Sequence, residues 1–419
     1  MPRILLADAD AFFVAVARSV DPEGAGRAEL LIVGGRPGSR GVVCSASYET
    51  RAFGVRSAMS IAQALRLCPD ATCVPVPRQA CSDASRAIRR VLERFTPVVE
   101  GASIDEWYLD LTGTEALYHH ESLDVTAHRI RKAVHAETGL SLSIGGGPNK
   151  LIAKLAAERA KPSRSPRAGG VHIVPDGGEI EFMEGVALAE IPGIGPKLQE
   201  RLLAVGLRTV RDVLPHELVT LERWVGAGTC AWLHDRVRGV SRTAVEARDR
   251  PRQMSREETF ASDIGDAARL ISELRHLAAK LAGDLRGDGL SARTISVKLR
   301  TSDFATYSAS RTLAEPVESD RGVAETAVDL LTKLRARHSR PARLVGVSLS
   351  NLADGRRAEQ LAMFEPGATI DGVAAERERD RELSRAVDQV RKRFGDDAIR
   401  TGAPRPVPIG EKGAKKPRD

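Results

Sequence analysis

SIDEWYLDL, Ser103 to Leu111, sets two adjacent carboxylates, Asp105 and Glu106, in a run that is otherwise largely apolar or aromatic. Val98-Val99-Glu100 precedes it across Gly101-Ala102-Ser103, so the two segments read as strands joined by a hairpin turn. Neighbouring side chains of a regular strand point to opposite faces. Both carboxylates can therefore serve one ligand only if Ile104 to Glu106 departs from the pleat just after the turn. A third acid, Asp8, ends the apolar run Ile4 to Ala7, a buried strand by its pattern. Three carboxylates at strand ends can hold two divalent cations roughly 3.5 to 4 Å apart for in-line displacement at phosphorus, and an oxygen-rich donor set suits Mg²⁺. The plainer alternative makes Asp10 and Asp105 turn residues and pairs Glu106 with an arginine.

The bulk numbers leave room for that chemistry. At 419 residues the chain accommodates two to four domains. With 42% hydrophobic and 28% charged residues it reads as an ordinary globular protein rather than a disordered one. A net charge of +7 has the sign expected for a polyanionic partner. Five cysteines (Cys44, Cys68, Cys73, Cys81, Cys230) lack CxxC spacing and complete no zinc pattern with the histidines, so they read as reduced, structural thiols. The N-terminal segment lacks the pattern of a signal peptide, and no run approaches the length of a membrane span. The expectation is an intracellular, cytoplasmic protein that stays off membranes.

Outward from the opening stretch, mixed strands and helices fill the first 165 residues. GVVCSASYE (41–49) reads as a strand. Ser60 to Cys68 reads as a helix with Ser60 as N-cap and Pro69 as its stop. A helix near Ala84 to Phe95 shows one apolar face. NKLIAKLAAERAK ends at Pro162 and stacks Lys150, Lys154 and Lys161 in one helical stripe. SRSPRAGG (163–170) is loop by composition. IPGIGPK (191–197) is a helix-hairpin-helix signature in which Gly193 and Gly195 permit a tight turn whose backbone N–H groups approach a phosphate, with Lys197 beside them; a plain helical turn is the alternative. Arg236 to Arg256 holds seven arginines against two acids, an exposed basic connector. A further block has helices near 266–285 and 320–337, and its strand TISVKLR packs Ile295, Val297 and Leu299 while Lys298 and Arg300 make the other face basic. Leu383, Val387, Val390 and Phe394 repeat at helical spacing, and the tail from about 402 has almost nothing to bury.

LLADADAFFVAV, SYETRAFGVRSAMSIAQALRLCP, SIDEWYLDL and GGGPNKLIAKLAAERAKP occur in the order and spacing of the Y-family DNA polymerases, and the chain resembles their bacterial DNA polymerase IV branch over residues 1 to about 353. The resemblance implies an α+β multidomain, right-hand polymerase. Its palm would span 1–10 and 75–165, fingers 11–74, a helical thumb with the helix-hairpin-helix 166–235, a basic linker 236–254 and a little finger 255–353. A clamp-binding motif and a partly disordered extension would occupy 354–419. Asp8, Asp105 and Glu106, with the Ala9 carbonyl, would hold two Mg²⁺ ions. Tyr48, Arg51 and Lys161 match the family's triphosphate contacts, and Phe13 matches the steric gate that excludes a 2′-OH. Gly193, Gly195, Lys197, Lys298 and Arg300 would face DNA.

Gln360, Leu361, Met363 and Phe364 of EQLAMFEP resemble the peptide with which bacterial polymerases engage a sliding clamp, Leu and Phe entering an apolar pocket while Gln bonds its rim. The resemblance implies a monomeric, error-prone enzyme that adds dNTPs to a primer on template DNA during damage tolerance. Two departures stand out: the residues after the clamp-like motif, and Trp107 directly after the Asp-Glu pair. A non-catalytic polymerase-like accessory protein would be expected to lack a metal carboxylate. A nucleotidyl cyclase would have no use for the helix-hairpin-helix or the clamp-like peptide.

Overall fold

In the computed structural model, the described residues are 2–162, 169–247, 250–355, 376–395 and 398–399. Two compact units divide at Asp249/Arg250. The clamp-like residues Gln360, Leu361, Met363 and Phe364 lie outside the described residues.

The first unit opens with β1 (Ile4–Ala9), α1 (Phe12–Val20), β2 (Leu31–Gly34), β3 (Val43–Ala46), α2 (Tyr48–Ala52), α3 (Ile61–Leu67), β4 (Thr72–Val74) and α4 (Arg78–Leu92). It continues through β5 (Val99–Gly101), β6 (Glu106–Asp110), α5 (Leu123–Thr138), β7 (Leu142–Gly147), α6 (Lys150–Ala160) and β8 (Val171–Ile173). Five strands form one sheet in the order β5-β6-β1-β7-β8, and three form another, β3-β2-β4. β1 is central and runs antiparallel to both β6 and β7. One face of the larger sheet packs Leu5, Ala7, Trp107 and Leu109 into the main core. Five short helices follow: α7 (Glu179–Glu184), α8 (Pro196–Ala204), α9 (Val210–Val213), α10 (Leu218–Val225) and α11 (Ala227–Val237), gathered on a core that includes Leu202, Leu221 and Leu233.

Several boundaries differ from the sequence reading for identifiable reasons. The strand expected over 41–49 stops at Ala46, because the Ser47 side chain accepts from the Thr50 N–H and starts α2 at Tyr48. The hairpin turn lies one step later than expected: the Ala102 and Ser103 N–H groups both donate to the Glu106 carbonyl (2.9 and 3.3 Å), so β6 begins at Glu106 rather than Ile104. α4 begins at Arg78, immediately after Pro77, instead of near Ala84. α6 ends at Ala160, and Lys161 has extended backbone, so it leaves the stripe that Lys150 and Lys154 share. Ser60 does cap α3, accepting from the Gln63 N–H.

The second unit is a four-stranded antiparallel sheet in the order β11-β10-β12-β9, built from β9 (Gln253–Ile264), β10 (Leu290–Thr301), β11 (Thr306–Val317) and β12 (Ala342–Asp354). α12 (Ala267–Gly287) and α13 (Asp320–Arg337) bury Ile295, Val297 and Leu299 against one face. The opposite face is less basic than TISVKLR suggested. Lys298 is paired with Glu257, and exposed hydroxyls of Thr306, Ser308, Ser310 and Thr312 line the neighbouring strand. α14 (Glu378–Phe394) joins this unit by polar contacts: Val387 and Ser384 are buried, while Leu383 and Phe394 are 59% and 67% exposed. All five cysteines are free thiols. Among the described residues no helix is long and apolar enough to cross a membrane.

Candidate active site

Register decides which acids meet. Asp8 lies opposite Glu106 on β6 and opposite Ser143 on β7, so the three side chains form one row across the sheet. Glu100 and Tyr108, a register pair on β5 and β6, share that face because Tyr108 is two residues from Glu106. Trp107 points the other way, 2% exposed in the core, so the bulky departure after the acidic pair packs behind the sheet instead of lining the site.

α6 packs on the acidic face, and its approach depends on one glycine. A Cβ at Gly145 would lie 1.9 Å from the Ala157 nitrogen and 2.3 Å from the Ala153 carbonyl. That closeness brings the ammonium groups of Lys150 and Lys154, and of Lys161 just past the helix end, to the carboxylates around them. Lys150 donates to both Glu100 oxygens at 2.8 Å, and Lys154 donates to both Glu106 oxygens at 2.7 and 2.8 Å. Lys161 sits 3.0 Å from Asp8 and 2.6 Å from Glu158. The pairing of Glu106 is thus with a lysine, not the arginine of the plainer alternative.

Burial pushes the Asp8 carboxyl up to about 7; the Lys161 ammonium and its hydrogen bond pull it down, less strongly than burial raises it, and Glu106 adds a smaller upward push. Lys161 moves upward for the reciprocal reason: the Asp8 and Glu158 carboxylates together outweigh its own desolvation. Asp10 is also raised, by burial first. Its Oδ1 accepts from the Ser143 hydroxyl at 2.6 Å, and its Oδ2 is buried with no hydrogen-bond partner.

Asp105 sits in the turn, off the strand. Its backbone carbonyl accepts from the Ala9 N–H at 2.9 Å, and its carboxylate takes the Ser103 hydroxyl. Among the described residues no three His, Cys, Asp or Glu side chains are drawn together as a metal centre requires. The donor chemistry nevertheless fits a hard divalent cation: carboxylate oxygens with a carbonyl nearby, and one buried carboxyl oxygen, Asp10 Oδ2, without a donor.

Tyr48 and Arg51 lie on α2, the guanidinium 5.2 Å from the ring centroid. Arg51 Nε donates to the Ala46 carbonyl at 2.9 Å, which fixes the direction of its fork. The Tyr48 hydroxyl is raised by burial first and then by the Asp10 carboxylate. Phe13 is half-buried on α1, its ring edge-on to fully buried Phe12 at 5.5 Å. In the IPGIGPK turn, Gly193 has φ 102° and a Cβ there would lie 2.5 Å from Trp232, so glycine is required. Gly195 has an ordinary φ of −82°, correcting the expectation that both glycines serve the turn; it is the N-cap of α8. Gly193, Gly195 and Lys197 are exposed. Sequence reasoning did not assign Glu100, Ser143 or the unpaired oxygen of Asp10, because only strand register and α6 packing bring them into the site.

Comparison with known proteins places this arrangement in a family. Residues 7–158 match the model of the impB/mucB/samB family, and residues 251–363 match that family's C-terminal domain. A DNA polymerase IV of Dehalococcoides mccartyi strain CBDB1 is 33% identical over 400 residues, covering 96% of this chain and 97% of that protein. One from Halorhodospira halophila is 36% identical over 361 residues, covering 86% and 98%. Among solved structures, a Dbh–Dpo4 chimera described as a Y-family DNA polymerase superposes with a TM-score of 0.74 at 25% identity, covering 83% of this chain and 98% of that one. An insertion ternary complex of Dbh DNA polymerase gives 0.60 at 26% identity with the same coverage.

Proposed function

The chain belongs to the impB/mucB/samB family of Y-family DNA polymerases, and from that premise we propose that it is a template-directed, error-prone polymerase of the DNA polymerase IV type, extending primers past damaged bases. The observation that carries this reading is the register pair Asp8–Glu106, with Lys154 of α6 on Glu106 and Lys161, just past the end of α6, on Asp8.

Asp8, the Ala9 carbonyl, Asp105 and Glu106 would hold two Mg²⁺ ions. When bound, these supply charge neutralisation at phosphorus and lower the pKa of the primer 3′-OH. The chain's own residues bind and orient the substrate. Lys161 offers a point charge, and Arg51, its fork directed by the Ala46 carbonyl, a planar donor pair for triphosphate oxygens. The Tyr48 hydroxyl adds a donor beside them. Phe13, held by Phe12, stands under the sugar and leaves no room for a 2′-OH.

In this reading the palm is 1–10 with 75–165, the fingers 11–74, the thumb 166–235, the linker 236–254 and the little finger 255–353. Gly193, Gly195, Lys197, Lys298 and Arg300 meet the DNA backbone without reading sequence. Gln360, Leu361, Met363 and Phe364 engage a sliding clamp from a monomeric, cytoplasmic protein.

Primer extension with Mg²⁺ and dNTPs tests the proposal. The intact chain extends the primer, and Asp105→Ala with Glu106→Ala still binds DNA but does not extend it. Equal extension by both, or by neither while DNA binding persists, overturns it.

A further inference from the structure

The hairpin joining β10 to β11 turns through Ser302-Asp303-Phe304-Ala305. The Phe304 N–H donates to the Thr301 carbonyl and the Thr301 N–H to the Ala305 carbonyl, both at 2.9 Å. This closed turn holds Phe304 at φ 65°, a left-handed backbone that suits glycine or asparagine and that a bulky residue rarely adopts. The tip is pinned from below: buried Thr301 donates to Asp303 at 2.5 Å, Asp303 pairs with Arg340, and the Ser302 N–H donates to the Pro341 carbonyl at 3.0 Å. So anchored, the ring is 63% exposed, with the Arg343 guanidinium 4.4 Å from its centroid. Strain maintained at a position that buries nothing points to a role in recognition.

The surroundings select the partner. Arg300, Arg340 and Arg343 stand around the tip, Arg340 paired with Asp303, and Arg300 donates to the Thr306 hydroxyl at 2.9 Å where the exposed Ser/Thr face of β11 begins. An aromatic ring backed by arginine and set among cations matches the way single-stranded nucleic acid is held, bases stacking on the ring while the cations follow the phosphates. We propose that Phe304 is a stacking platform for an unpaired base of the single-stranded template, a contact that rests on the polymerase reading above.

Phe304→Gly removes the ring and relieves the left-handed strain, so the variant keeps or raises its thermal midpoint. Phe304→Trp keeps a stacking surface. Binding is measured by anisotropy to a primer–template with a single-stranded 5′ overhang and to the blunt duplex, and stacking by fluorescence of 2-aminopurine in the overhang. Phe304→Gly should weaken overhang binding roughly 5- to 150-fold, the span carried by one base–aromatic stack. It should leave blunt-duplex binding unchanged and abolish the fluorescence quench, while Phe304→Trp retains both affinity and quench. Unchanged overhang binding by Phe304→Gly, which would turn the platform toward a protein partner, overturns the proposal, as does equal weakening on both DNAs. If the unaltered chain binds neither DNA, the polymerase reading falls and the proposal with it.

Discussion

In the carboxylate row of the first unit, Asp8 and Glu106 are each met by a lysine, whereas in the second unit one arginine gathers two aspartates and a carbonyl. The Arg286 side chain, 5% exposed, donates from Nε and Nη2 to Asp388 at 2.7 and 2.9 Å, from Nη2 to Asp320 at 2.7 Å, and to the Glu318 carbonyl. Arg391 adds a second guanidinium to Asp320 at 3.4 Å. A planar fork saturates its partners in fixed directions, while an ammonium group is a point charge on a flexible stem. The Arg286 cluster is therefore built to persist and to join α14 to α12 and α13. Asp8, raised to about 7 chiefly by burial despite its lysine, belongs to a cluster held by flexible ammonium groups in which Asp10 Oδ2 has no donor. Burial of ion pairs is common to both; satisfaction of donors and acceptors separates a fastening from a site.

The largest expected effect breaks the persistent cluster. Arg286→Met leaves Asp320 and Asp388 short of their main partner, and denaturant unfolding should show a loss of about 3–5 kcal/mol in the second unit. Hydrogen exchange should rise in α14 first.

A smaller effect sharpens the other side of the comparison. Asp8 titrates above its ordinary 3.8 in the folded chain, so the folded state binds more protons than the unfolded one between about 4 and 7. Its contribution to stability is fully present below 3.8 and is lost as pH rises through about 7. Thermal melts of the metal-free protein should follow that window, and Asp8→Asn should flatten it; an unaltered slope would contradict the assignment.

Next comes Glu376, whose Oε1 accepts from the Glu318 and Ser319 N–H groups at 3.0 and 2.6 Å, at the start of α13. Glu376→Ala should cost roughly 1–2 kcal/mol in chemical unfolding, as other lost helix-start contacts do. The smallest effect is expected at Lys298–Glu257, whose side chains are 41% and 37% exposed. Lys298→Ala should change stability by less than about 1 kcal/mol, while DNA binding weakens and its salt dependence becomes shallower.

Much of this was legible in the chain itself, wherever the signal was local. Ser60 before an apolar-periodic run marks a helix start because its side chain caps the next turn. Asp320 to Arg337 forms a helix over the expected span because its periodicity and its Ser319 cap agree. The apolar run ending at Asp8 delivered its acid where expected. Some boundaries were missed locally, as where Ser47 ends β3 and caps α2; the larger failures were long-range. The stripe of Leu383, Val387, Val390 and Phe394 marks a helix, but it gives no sign that α14 is joined through Arg286 and Asp388, residues 102 apart, with Val387 buried and Leu383 and Phe394 exposed. Periodicity reports which side of a helix is apolar and is silent on which distant charge will face it.

Residue types and their spacing determined by themselves that this chain carries strand-end carboxylates, a lysine-bearing helix and a tight glycine turn at Gly193, since each depends on near neighbours. Tertiary structure alone decided that Asp8 lies beside Glu106, that Asp105 stays with Ser103 in the turn, and that Trp107 faces away. Register between strands about a hundred residues apart, and the close approach of α6 over Gly145, set those relations. They follow from how faces pack, which no local pattern encodes.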